Sequence, residues 1–169
     1  MGNVHQELNQ LLVETFRDIL KIEEMSVRSA TQDGISVAEI HTLEAIGINA
    51  EPNASEVAAT LRVAQSTLTI TVNRLEIKGM VERGRSETDR RFVRLCLTER
   101  GSTMVKAHER FHRRMTRRIV SKLQEDEVEL FGKILVNLRT FFAEEAKILR
   151  ESAAAPLQEA RGEKREARG

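Results

Sequence analysis

Between Asn53 and Leu97 the spacing of apolar residues switches from a helical period to strict alternation, and few chain paths satisfy that order. Val57, Ala58 and Leu61 give a short helix one inner face, and Asn53 stands where it can cap that helix with Glu56 three residues on. Arg62-Val63-Ala64 leaves room only for a tight connection before a further helix, predicted from about Gln65 to Lys78 and ended by Gly79. The period then falls to two. Met80, Val81 and Glu82 predict a strand, Gly84 to Arg91 a polar charged turn, and Phe92 to Leu97 a returning strand. Val93, Leu95 and Leu97 share one face of that strand, and Phe92, Arg94 and Cys96 the other.

Short helix, tight turn, helix and β-hairpin is the order of a winged helix-turn-helix, whose second helix enters the major groove of duplex DNA. Leu68, Val72 and Leu75 are expected on the buried side of that second helix, which turns Gln65, Ser66, Thr67, Thr69, Ile70 and Asn73 outward. An ordinary solvent-facing helix carries Lys and Glu, yet residues 65–73 carry no charge at all. Short hydrogen-bonding groups with Thr and Ile methyls suit the edges of bases, including the thymine methyl. The hairpin adds the cations. Arg83, Arg85, Arg90, Arg91 and Arg94 crowd into one short stretch opposed by Glu87 and Asp89, so a net charge of only +1 conceals a local basic patch. Arg90 and Arg91 near the tip suit a narrow minor groove, and Asp89 is expected to orient a neighbouring guanidinium. Gln65, Ser66, Thr67, Thr69, Asn73, Arg74, Arg85, Asp89, Arg90 and Arg91 are therefore the expected contacts to double-stranded DNA, on a near-palindromic operator.

Long helical stretches flank this head. Val4, Leu8, Leu11, Leu12, Phe16, Ile19 and Leu20 recur at steps of three and four, predicting a first helix to about Ser29. Ser36, with Glu39 three residues on, caps a second that stops near Gly47. Two more are predicted over Thr98 to Leu123 and Glu125 to Glu151, the last with an apolar stripe from Val128 to Phe142. Burying the first and last stripes is easiest across a two-fold interface, so a homodimer is expected. The fold class is mainly α with a small β-hairpin wing. Residues 1–35 and 99–151 form a helical dimerisation region, 36–98 the DNA-binding domain and 152–169 a polar tail. Absence of Trp and Tyr, with only 2 Pro, fits a helical fold better than a sandwich or barrel.

Other chemistries find little support. The chain has no Gly-rich phosphate loop, no CxxC pair and no motif joining a nucleophile to a base, so no enzyme is expected. Its single Cys excludes an intrachain disulfide framework and suits a reducing compartment. The N-terminus lacks a basic region followed by an apolar run, and no apolar stretch approaches membrane-spanning length, so a cytoplasmic protein without membrane contact is expected.

Asp89-x-Arg91, five residues, Leu97-Thr98 and then Gly101 form a wing signature that resembles the MarR family of regulators. The resemblance spans roughly residues 4–150 and implies a two-fold dimer built from the terminal helices. Within the family, IEEMSVRSATQDGISVAEIHTLEAIG, RSETDRRFVRLCLTERG and ERFHRRMTRRIV look most like the branch that represses fatty-acid-synthesis genes. That likeness implies an acyl chain, presented by acyl carrier protein, as corepressor. Ile22, Met25, Leu43, Met104, Phe111 and Met115 are the expected cavity lining, the alternative being that they are simply core. Arg28, Arg113 and Arg114 are the expected docking cations for the acidic carrier.

Two constellations remain open. His108 and His112, four apart, share one face of a helix, while His41 lies on the second helix and Glu24 near the end of the first. A zinc-responsive member of the same family resembles this arrangement, using one Glu and three His, although its second metal site includes a Cys where this chain has Ser29 and Ala30. The fatty-acid branch carries similar histidines without a metal requirement, so carboxylate-bonded structural histidines are the other reading. Cys96 is either a small strand residue or an oxidation sensor with Arg94 favouring its thiolate.

Overall fold

The computed structural model describes residues 2–30, 34–85 and 93–166. Their elements run α1 (Gly2–Ala30), α2 (Val37–Ile46), α3 (Ala54–Leu61), α4 (Gln65–Ile77), β1 (Val81–Arg85), β2 (Val93–Leu97), α5 (Glu99–Val120) and α6 (Glu125–Glu166). The chain divides into two compact units, Met1–Met115 and Thr116–Gly169.

Local chemistry explains the boundaries. Ser36 and Asn53 each accept from the backbone N–H three residues on, at 3.2 and 3.0 Å, while Glu39 and Glu56 reach back to the cap N–H groups. Two capping boxes thus start α2 and α3, each satisfying amides that no helical carbonyl can reach. Helix α3 closes with Arg62 in the left-handed region at φ 57°, its N–H turned back onto Ala58 and Ala59. That geometry makes the turn into α4 tight. Gly79 ends α4 at φ 66°, a conformation a side chain would disfavour, and Met80 N–H bonds to Leu75 O.

Helices α2, α3 and α4 pack on one another, β1 lies on α4, and β2 on α2 and α3. The antiparallel register pairs Val81 with Leu97 and Arg83 with Leu95. Leu95 N–H also reaches Pro52 O at 2.9 Å, and Asn53 bridges to Arg94, so the hairpin base is stitched to the loop before α3. Leu43, Ile46, Val57, Leu68, Val72, Leu75, Met80 and Leu95 are the buried centre of this head. Burying such a side chain stabilises by about 1.5–3 kcal/mol, which holds the three helices at one mutual orientation. Val93, expected beside Leu95 on the inner face, is instead exposed, because the core ends at Leu95.

The junction into α5 depends on two residues. Thr98 Oγ1 donates to Gly79 O and accepts from Gly101 N–H at 3.1 Å, capping the helix. A Cβ on Gly101 would overlap the Met80 carbonyl, so only glycine lets α5 cross that backbone. In the first unit, α1 contributes Glu23 and Val27 to the buried interior, whereas Val4, Leu8, Leu11 and Leu20 of its apolar stripe are exposed. The second unit contains α6, which bears exposed Leu130, Ile134, Leu135 and Phe141 and continues as helix through the segment expected to be a polar tail.

Candidate nucleic-acid interface and histidine cluster

Helix α4 has the two faces its composition implies. Leu68, Val72 and Leu75 are buried, and Gln65, Ser66, Thr67, Thr69, Ile70, Asn73 and Arg74 are exposed. Ser66, Ile70, Asn73 and Ile77 follow one another at helical steps on the row opposite the core. Ile77 is 86% exposed, an apolar group that extends this row. Thr69 Oγ1 returns to Gln65 O at 2.8 Å and Thr71 Oγ1 to Thr67 O at 3.1 Å, so hydroxyls along the helix are held by its own carbonyls. Gln65 Nε2 donates to Ser55 Oγ at 3.2 Å, coupling the start of α4 to α3.

Two arginines of the expected basic patch are engaged by neighbouring side chains and backbone while keeping partial exposure, 40% for Arg83 and 31% for Arg94. Arg83 Nε pairs with Glu76 at 2.9 Å and its Nη2 donates to Asn73 Oδ1 at 2.6 Å. Arg94 Nη1 donates to Glu51 O at 3.1 Å and lies 3.8 Å from Glu56. Neither distance was legible in the sequence, because both pairings cross between elements. Backbone at Arg85 pairs with Val93 in the hairpin. Asp89, Arg90 and Arg91 lie outside the described residues, as does the Arg85 side chain.

Cys96 is half-buried on β2. Burial, then the neighbouring Glu51 and Glu82 carboxylates, push its thiol above the ordinary value. Arg94, expected to favour thiolate, is committed to Glu51 and Glu56 instead. A raised thiol pKa opposes the thiolate chemistry an oxidation sensor uses.

The histidines converge, with one change of partner. Glu24 is an exposed residue paired with Arg28 at 3.6 Å, one turn along α1. It is Glu23, on the face shared with buried Val27, that meets the imidazoles. Glu23 Oε1 lies 2.9 Å from His41 Nε2, 3.5 Å from His108 Nε2 and 3.6 Å from His112 Nε2. His108 turns its Nδ1 to Glu44 at 2.7 Å. The period of α1 alone left the neighbouring glutamates undistinguished, and it is the packing of Val27, four residues on, against the core that turns Glu23 inward.

The expected lipid-cavity residues differ in burial. Ile22 and Met25 are 49% and 61% exposed, whereas Leu43 is fully buried in the helix-turn-helix core. Phe111 and Met115 are half-buried on α5. A cavity of about 20 Å³ lies against His108, lined also by Ser26, Val27, Ile40, Met104 and Ala107, so Met104 alone of the six borders it. That volume suits about one water and is far below an acyl chain.

A helix-turn-helix whose outward helix carries no charge over residues 65–73, with an antiparallel wing, defines a winged-helix DNA-binding protein. Known proteins agree. A model described as MarR family matches residues 33–91. The transcriptional regulator BilQ of Clostridium symbiosum is 32% identical over 108 residues, covering 63% of this chain and 74% of its own. The solved complex of Streptococcus pneumoniae FabT with DNA is similar at 38% identity and TM-score 0.77, covering 83% of this chain and 98% of that one. Wild-type MarR from E. coli, 23% identical over 78% of this chain and 96% of its own with TM-score 0.60, shares the fold. The chain belongs to the MarR family and is a DNA-binding transcriptional regulator. Among the described residues no helix is long and apolar enough to cross a membrane.

Proposed function

We propose that this protein is a homodimeric repressor of fatty-acid-synthesis genes, with acyl carrier protein bearing an acyl chain as its corepressor. The observation that carries this reading is the 38% identity across 98% of the FabT chain, joined to the likeness of the three segments quoted above. A homodimer accounts for the exposed apolar side chains of α1 and α6, since patches of that kind mark association surfaces. Two copies of α4 then meet successive major grooves, so the operator is a near-palindrome with half-sites roughly 10 base pairs apart. Because the cavity beside Met104 is small, an acyl chain enters only if Met104 or its neighbours move. Arg28, Arg113 and Arg114 are exposed, and the two with carboxylate partners hold them at 3.6 Å. Such surface pairs are worth about 0–1 kcal/mol and yield readily to an acidic partner.

One observation favours a second effector. A tetrahedral zinc with ligand bonds of about 2.0–2.1 Å sets its ligand atoms roughly 3.3–3.4 Å apart. The three histidine nitrogens lie 2.9–3.6 Å from Glu23 Oε1, and Glu44 on His108 Nδ1 is the outer carboxylate a metal-bound imidazole commonly has. Glu23, His41 and His108, whose ligand atoms all lie within 4.8 Å of one another, would hold the ion, with His112 Nε2, 3.6 Å from Glu23 Oε1, as the candidate fourth ligand.

Operator binding separates the effectors. Acyl carrier protein with a long acyl chain, unacylated carrier, and zinc added after chelation are compared on one duplex. The lipid reading predicts tightening of about 5- to 150-fold by the acylated carrier alone. A response to zinc alone, lost in His108→Ala and His112→Ala, would replace it with the metal reading.

A further inference from the structure

Asn73 sits in the third turn of α4, on the row of outward side chains opposite Leu68, Val72 and Leu75. An asparagine on a groove-facing row has two ways to read a base. With both amide atoms forward it grips adenine bidentately, oxygen on N6–H and nitrogen on N7. With only the NH2 forward it needs an acceptor. Which way it faces is normally free, because the amide flips at little cost.

Here the flip is closed. Arg83 of β1 places Nη2 2.6 Å from Asn73 Oδ1. A guanidinium has donors and no acceptor, so an amide turned the other way would set donor against donor. Chemistry therefore assigns the oxygen to Arg83 independently of how an amide is drawn. Arg83 is itself anchored, its Nε 2.9 Å from Glu76, one turn further along α4 from Asn73. Glu76, Arg83 and Asn73 form a chain of charge-assisted contacts from helix to wing strand and back to helix.

We infer that Arg83 is a positioning residue that fixes the base preference of Asn73, leaving Nδ2–H2 as the group offered to the groove. Asn73 then recognises an acceptor on a base edge: purine N7, guanine O6 or thymine O4. Arg83 belongs to the reading apparatus although its charge is directed at Glu76 and Asn73. This inference rests on the reading of α4 as the DNA-facing helix. It also gives the wing strand a role in specificity at a base it does not touch.

The test uses the full chain and a duplex that it selects from a random pool. Base analogues lacking one acceptor are placed singly: 7-deazapurines for N7, 2-aminopurine for guanine O6, and 5-methylpyrimidin-2-one for thymine O4. One position per half-site should cost the wild type about 2- to 12-fold, the range of one hydrogen bond. Asn73→Ala should bind more weakly and be indifferent to the analogue at that position alone. Arg83→Ala, tested with adenine at that position, should become sensitive to removal of the 6-amino group, because the freed amide now turns its oxygen forward beside its nitrogen. Arg83→Lys, which keeps a donor, should restore the wild-type pattern in part. A merely structural Arg83 would shift affinity on every duplex equally and leave the pattern unchanged, which overturns the inference. So would a wild-type penalty for the adenine amino group that vanishes in Asn73→Ala. If the full chain selects no sequence, the DNA-facing reading of α4 fails, and the inference with it, by a visibly different outcome.

Discussion

Lys78, just past the end of α4, places Nζ 2.7 and 2.8 Å from the two oxygens of Glu39 on α2 and 3.2 Å from Gly34 O. Glu39 at the same time accepts from the Ser36 N–H as half of the α2 capping box. One carboxylate therefore starts a helix of the core and pins the end of the helix assigned to the groove.

The pH dependence of stability follows from that contact. Burial raises the Glu39 pKa, but the Lys78 and Ser36 hydrogen bonds outweigh it and hold the carboxyl below its ordinary 4.5. A depressed folded-state pKa contributes stability above the unfolded value and loses it as pH falls through the folded value. Glu39→Gln keeps the capping amide and removes the charge. It should cost about 1–3 kcal/mol at pH 7, with the difference from wild type shrinking below about pH 4.5. Urea unfolding of both proteins from pH 7 to pH 3 measures it, and a gap independent of pH would deny the pair its role.

Gly101→Ala should destabilise by about 1–3 kcal/mol, the usual cost of forcing a methyl into filled space. The Met80 carbonyl occupies that position, so α5 must shift against the hairpin. The shift should also appear as lost protection of the Thr98 amide, which donates to Met80 O at 3.1 Å.

Salt dependence distinguishes the arginines of the wing. Arg90→Ala and Arg91→Ala should each lower the slope of log K against log salt by about 1, as expected for a lost phosphate contact. Arg94→Ala should leave that slope nearly unchanged, since its guanidinium is held by Glu51 O and Glu56. Equal slopes for wild type, Arg90→Ala and Arg91→Ala would remove the wing tip from the interface.

Leu138→Asp in the α6 stripe should yield aggregated or unfolded protein, and the wild type should sediment as a dimer. A monomeric wild type, or a well-folded monomeric variant, would contradict the two-fold assembly.

Features carried within a few residues were legible in the sequence. The capping pairs Ser36–Glu39 and Asn53–Glu56 span three positions, and the Leu68, Val72, Leu75 face of α4 repeats at helical spacing. What could not be read was the choice among equivalent local options. Glu23 and Glu24 are adjacent, and only packing of Val27 against the core decides which turns to the histidines. Arg83 and Arg94 look like unpaired cations until Glu76 and Glu56 are seen across the strand–helix contacts. The set proposed for a lipid cavity mixed exposed Met25 with core Leu43, because Met and Leu on several helices do not reveal which faces meet.

The claim that the outward row of α4 reads DNA is tested most directly at Ser66. This residue is exposed in the first turn of α4, where an acidic side chain favours the helix through its N-terminal dipole. Ser66→Glu should not lower the unfolding midpoint while placing a negative charge against the groove. Fluorescence anisotropy with the selected operator and a scrambled duplex measures the preference between them. That preference should fall by about 5- to 150-fold, equivalent to at least one lost base contact. A variant that keeps wild-type preference would show that α4 does not present this face to DNA.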